Sequence, residues 1–182
     1  IKLTYHTVHM ARYLPNVKTN RQAFFIQEKL SFNPIYFDAG YRKEKVEHQI
    51  QDQTFVLARN ANNQKLENRD FDLTQFYVGA GLNWGEHVHI YAKYSESERA
   101  PEINELYSSN PHYSVMTQEE GNQNLEKEKV KAMELNTDFV FDQSKIQLSL
   151  YQMDFTNYVY LMHSGMAMGN RLPLKYWRQT DV

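Results

Sequence analysis

A chain of 182 residues has room for one ordinary domain, and its formal net charge of −2 offers no basic footprint for nucleic acid. The absence of cysteine excludes a disulfide framework and a Cys-built zinc site. No apolar run approaches the roughly 18–20 residues of a spanning helix, which leaves alternating strands as the only way this chain could cross a membrane. Aromatic residues make up 14%, mostly Tyr and Phe, and the aromatic girdles of a membrane barrel would account for them.

Taken in order, Ile1–Val8 alternates with Ile1, Leu3 and Tyr5 on one face and reads as a strand. His9–Asn20, containing Leu14-Pro15-Asn16, reads as a loop. Arg21–Phe32 places Phe24, Ile26, Leu30 and Phe32 on one face, and a turn at Asn33-Pro34 leads to Ile35, Phe37, Ala39 and Tyr41 on one face of the next strand. His48–Asp70 is rich in Gln, Asn and Asp and has no usable period, so a long loop is expected. Phe76–Trp84 and Val88–Tyr94 form the clearest strand pair, joined at Gly85-Glu86, with one apolar and one polar face. Ser97–Leu125 is too polar and too long for a hairpin turn. Met133–Phe141 alternates again and turns at Asp142-Gln143-Ser144. In the following strand the apolar phase shifts from Ile146, Leu148 and Leu150 to Tyr151, Met153 and Phe155, for which a bulge is expected. Met162–Arg178 is expected to be a third long excursion, with Met162, His163, Met166 and Met168 at an apolar loop tip or, alternatively, in a soft site suited to Cu(I).

Short turns near Asn33, Gly85 and Asp142 thus alternate with long excursions, the asymmetry of outer-membrane barrels. A soluble antiparallel sandwich also alternates. The runs reach about 10 residues, long enough to span a bilayer, and Phe32, Trp84 and Tyr94 stand at their ends. The expected fold is therefore all-β, an antiparallel transmembrane β-barrel present as a partial barrel fragment with long extracellular loops. About six strands cannot close around a plugged lumen, which needs about 22. Residues 1–182 are expected to be part of a barrel domain whose remaining strands lie elsewhere.

The central loop carries Arg99-Ala100-Pro101, Glu105-Leu106-Tyr107, Asn110-Pro111-His112-Tyr113 and Gly121-Asn122-Gln123-Asn124-Leu125-Glu126-Lys127-Glu128. In order and spacing these motifs resemble the signatures of TonB-dependent outer-membrane receptors. The hairpin with Ala39-Gly40-Tyr41-Arg42 is similar to theirs as well. The resemblance implies a receptor in the outer membrane of a Gram-negative bacterium. Its partners would be outer-membrane lipid, a plug domain of the same receptor, absent from this chain, and an inner-membrane TonB complex that supplies energy. Tyr13-Leu14-Pro15, Arg99-Ala100-Pro101 and Asn110-Pro111-His112-Tyr113 look most like the zinc-uptake branch, which implies zinc as transported ligand. Imidazole and carboxylate suit zinc when thiolate is lacking, so His112, Glu119, Glu120 and His163 are the candidate metal ligands; alternatively His112 is a turn residue beside Pro111. His87 and His89 share a strand face and are expected to line the lumen with Tyr91, Lys93, Glu134 and Asp138. Haem is the alternative cargo, because haem receptors resemble this chain in an axial histidine between R-A-P and N-P-N-L segments. Here Glu98 and Gln123 depart from that pattern. Iron-siderophore complexes are a further cargo of the same scaffold.

Other classes find less support. Ser108, Ser109 and His112 are close in sequence, but no nucleophile elbow or oriented acid accompanies them, so no catalytic residue is assigned. A structural or adhesive barrel would need no ligand at its loops.

Overall fold

The structure, a computed structural model, describes residues 12–52 and 65–182. In chain order its elements are β1 (Val17–Phe32), β2 (Ile35–Ile50), β3 (Arg69–Trp84), β4 (Val88–Arg99), α1 (Ile103–Tyr107), β5 (Pro111–His112), β6 (Thr117–Glu120), β7 (Glu128–Phe141), β8 (Ser144–Thr156), β9 (Tyr158–Ala167) and β10 (Pro173–Thr180). Six of them form one antiparallel sheet in the order β1-β2-β3-β4-β7-β8, so every wall strand lies beside its neighbour along the chain. The expected strand at Ile1–Val8 falls outside the described residues.

Directly paired residues project from the same face of a sheet, so register turns alternation along strands into rows across them. One row runs Leu30, Phe37, Ala80, Ala92, Leu135, Leu150. The next row toward the short turns runs Phe32, Ile35, Leu82, Ile90, Thr137, Leu148. Phe24, Ile26, Leu30, Phe32 and Phe37 are all exposed on this face. From Phe76 to Trp84 the band spans eight steps of about 3.4 Å, or about 27 Å before tilt, which matches the apolar band of roughly 25 Å on a membrane barrel. The opposite face carries Lys29, Asp38, Gly79, Lys93, Glu134 and Tyr151 in one row. Lys93 lies 3.7 Å from Glu134, and Tyr91 donates to Asp38 at 3.1 Å. Ion pairs and hydrogen bonds of this kind support the polar inner face, although the second Asp38 oxygen, Oδ1, is buried without a partner among the described residues.

Above the band the strands continue past their expected ends. β2 runs through Ile50 and β3 begins at Arg69, so both ends of the expected loop at His48–Asp70 are strand, and its middle, 53–64, lies outside the described residues. Here the inner face becomes apolar: Val46, Phe71 and Leu73 are buried together with Leu106, Tyr107 and Leu125 of the central loop. That loop is folded, containing α1, β5 and β6 and lying over the inner face at the long-loop end.

Two expectations are corrected. Residues Met162–Arg178 are not a long irregular excursion: they fall in β9 and β10, which pair antiparallel, and the methionine-rich segment forms β9 and the turn after it. Strand β8 contains no bulge, because its register with β7 is unbroken from Phe155 to Ser144. Tyr151, Met153 and Phe155 occupy the inner face opposite Glu134, Ala132 and Val130, so the apolar shift reflects an aromatic inner surface rather than a slip. The irregular step lies instead between Pro173 and Lys175 in β10.

A second sheet joins the two loops in the order β5-β6-β10-β9, with β6 and β10 parallel. Strand β8 passes into β9 through Asn157 at φ 57°, which redirects the chain from the wall into the loop sheet. Phe155 and Val182 then exchange both backbone hydrogen bonds, at 2.7 and 3.0 Å, returning the chain to β8.

Candidate functional site

The motif residues of the central loop build a buried clamp. Arg99 ends β4 and donates to Glu105 at 2.9 Å and to Glu128 at 3.4 Å. Glu105 also accepts the Glu102 N–H at 2.7 Å, fixing the entry to α1, and Glu128 accepts the Val159 N–H at 2.8 Å, tying β7 to β9. Ala100 and Pro101 are buried where the chain leaves β4, and Leu106, Tyr107 and Leu125 fill the core. The Tyr107 hydroxyl donates to the Glu67 carbonyl at 2.9 Å, and burial pushes its phenol up to about 12. Gly121 passes directly against the end of α1: its N–H donates to the Ser108 carbonyl at 2.7 Å, and a Cβ there would stand 2.6 Å from the backbone of Leu106 and Tyr107. Asn122 donates its N–H to the Glu105 carbonyl at 2.8 Å. Arg99, Ala100, Pro101, Glu105, Leu106, Tyr107, Gly121, Asn122 and Leu125 therefore hold the loop on the wall.

The candidate ligand residues lie beyond this clamp, on the loop sheet. His112 of β5 pairs with Thr117 of β6, and Glu119, two residues along β6, shares that face. His112 Nδ1 lies 3.4 Å from Glu119 Oε1, and the Tyr13 ring stacks on the imidazole at 4.2 Å between centroids and 21° between planes. Tyr13 donates its hydroxyl to Glu119 Oε2, and Thr117 donates to Oε1 at 3.0 Å. Burial, with the Glu119 carboxylate adding to it, raises the Tyr13 phenol far above its ordinary value, so it stays a donor at neutral pH. Glu119 is buried while His112 is about one-third exposed. The imidazole is thus oriented from behind by a buried carboxylate, the arrangement that holds the ring of a metal-binding histidine in place.

The other two candidates do not join this pair. Glu120 follows Glu119 in β6 and so projects from the opposite face, where it is buried. His163 sits in β9, in register with Lys175 of β10, which is in turn in register with Glu119, so two strand spacings separate it from that carboxylate. Its Nδ1 accepts the Gly165 N–H at 3.0 Å. Among the described residues no group of three or more His, Asp or Glu side chains is gathered as a metal site. His87 and His89 are engaged separately, with the Val140 carbonyl at 3.1 Å and with Asn83 at 3.0 Å. Ser108 and Ser109 are fully buried against the clamp. Sequence reading missed Thr117 and the role of Tyr13 as the stacking partner of His112; a distance of 106 residues between Tyr13 and Glu119 leaves no periodic signal to find.

Known proteins agree with this architecture. The family model of the TonB dependent receptor-like β-barrel matches residues 4–172. The TonB-dependent heme receptor A of Haemophilus influenzae strain 86-028NP is 23% identical over 120 residues, covering 65% of this chain and 16% of that protein. The hemoglobin-haptoglobin utilization protein B of Neisseria meningitidis serogroup C is 30% identical over 97 residues, 52% of this chain and 12% of its own length. The copper transporter OprC has a TM-score of 0.72 at 15% identity, over 91% of this chain and 24% of OprC. The Serratia marcescens hemophore receptor HasR, solved with its hemophore HasA and heme, has a TM-score of 0.71 at 14% identity, over 92% of this chain and 30% of HasR. This chain spans only 12–16% of the length of these curated relatives, and at such low identity the solved structures share its fold and no more. With the family model spanning most of its length and the rows of its wall reproducing the alternation of a barrel, the chain belongs to the TonB-dependent receptor β-barrel family.

Proposed function

We propose that this chain is part of the barrel wall and extracellular loops of an outer-membrane receptor that takes up haem, with His112 as a ligand to the iron. The observation that carries the reading is the His112 imidazole, partly exposed and oriented by the buried Glu119 carboxylate and the stacked Tyr13 ring. A single oriented imidazole suits axial ligation of an iron whose other positions the porphyrin fills. The curated relatives support the same cargo, since one is named a heme receptor and another is named for utilization of hemoglobin-haptoglobin. Energy for release into the periplasm would come from an inner-membrane TonB complex acting on a plug domain of the same receptor. The inner-face groups Tyr91, Lys93 and Glu134 would meet that plug.

Zinc is the second reading. It rests on the same two donors, His112 and Glu119, and needs a further ligand from elsewhere, since zinc sites hold at least three protein groups. The test is a spectroscopic titration of the intact receptor in detergent with haem, beside calorimetry with zinc. Haem is expected to give a Soret shift in the wild type that is lost in His112→Ala. No spectral change with haem, together with zinc binding weakened by His112→Ala, would replace haem with zinc.

A further inference from the structure

Register across the loop sheet places a cation beside the histidine site. Lys175 of β10 is the in-register partner of Glu119 on one side and of His163 on the other, so Glu119, Lys175 and His163 share a row. His112 belongs to the same face through its pairing with Thr117; Lys175 lies two strand spacings across, about 9.6 Å, and two residues further along, opposite Glu119, so the two backbone positions are about 12 Å apart. The Glu119 carboxylate is already taken by Tyr13, Thr117 and His112. Among the described residues no carboxylate lies within ion-pair distance of the Lys175 ammonium, although its side chain is half-buried.

A half-buried ammonium costs desolvation free energy that a surface lysine avoids, and an anion arriving with the ligand would offset it. We infer that Lys175 binds a carboxylate of the ligand while His112 holds its metal. This rests on the haem reading, in which the propionates at the porphyrin edge are that carboxylate. With about 12 Å between the two backbone positions, the His112 imidazole and the long Lys175 arm, both projecting from this face, can reach the centre and the propionate edge of one porphyrin. Lys175 would then act as a specificity residue, distinguishing a carboxylated metal macrocycle from a neutral one.

The experiment titrates the intact receptor with haem and with haem dimethyl ester, whose propionates are uncharged, using wild type, Lys175→Gln and Lys175→Arg. Wild type is expected to bind haem about tenfold more tightly than the ester. Lys175→Gln should lose that preference, with the ester affinity and the Soret position unchanged, and Lys175→Arg should retain it. If Lys175→Gln weakens both ligands equally, or neither, while the His112-dependent Soret shift persists, the lysine role is overturned and the haem reading stands. If wild type shows no Soret shift with either ligand, the haem reading itself fails and the lysine role fails with it.

Discussion

At the scale of single residues, the family motif is explained by contact rather than by ligand chemistry. Gly121 is glycine because backbone atoms of Leu106 and Tyr107 occupy the space a Cβ would need, and backbone at a buried helix end has little room to yield. Gly121→Ala is therefore expected to destabilise the central loop by about 1–3 kcal/mol, the range typical of overpacking. Limited proteolysis of the intact receptor should show faster cleavage within residues 100–127, with the wall unaffected; unchanged protection would mean that the loop closes differently. Arg99 is likewise satisfied by two carboxylates of low exposure, Glu105 and Glu128, which links its charge to the entry of α1 and to β9.

At the scale of elements, the inner face of the wall depends on small residues under large rings. The Tyr77 ring lies over Gly40, Tyr91 over Gly79 and Tyr36 over Gly81, so that each glycine leaves space for an aromatic ring from the neighbouring strand. Tyr36 and Tyr91 stack at 6.0 Å between centroids, and Lys29 sits 4.2 Å above the Tyr36 ring. A Cβ on Gly79 would lie 2.3 Å from the Tyr91 hydroxyl and 2.6 Å from Asp38, so Gly79→Val is expected to separate that hydrogen-bonded pair. The mutant barrel should unfold at a lower temperature than wild type in a heat-modifiability gel, by an amount corresponding to about 1–3 kcal/mol. An unchanged transition would show that Tyr91 can move aside without cost. The loop sheet is held differently: its parallel β6–β10 pairing connects segments more than fifty residues apart, so either loop supports the other.

At the scale of the whole molecule, the row register separates an apolar outer face from a polar inner face. Leu135 and Glu134 are neighbours in β7, yet Leu135 falls in the apolar band and Glu134 faces Lys93. Leu135→Arg is expected to cost about 2–4 kcal/mol when the receptor folds into lipid vesicles, because the charge would lie near the middle of the band. Glu134→Gln, which keeps a polar group on the inner face, should cost well under half as much. Equal costs for the two would show that the faces are assigned wrongly.

The sequence by itself determined the wall. Period-two alternation sets which residues of each strand lie on the apolar outer face, and short turns at Asn33-Pro34, Gly85-Glu86 and Asp142-Gln143 set the order of neighbours. Both are local signals, so Phe76–Trp84 and Val88–Tyr94 were legible without coordinates. Beyond the apolar band that signal fades, because strands such as the first half of β3 bury an inner face and expose a polar outer one over a shorter stretch. Only the tertiary structure decided that Met162–Arg178 belongs to a hairpin, that β6 lies parallel to β10, and that Tyr13 stacks on His112. These contacts join segments distant in the chain through polar and mixed residues. No periodicity announces them, since their free energy comes from pairing that exists only once both loops are in place.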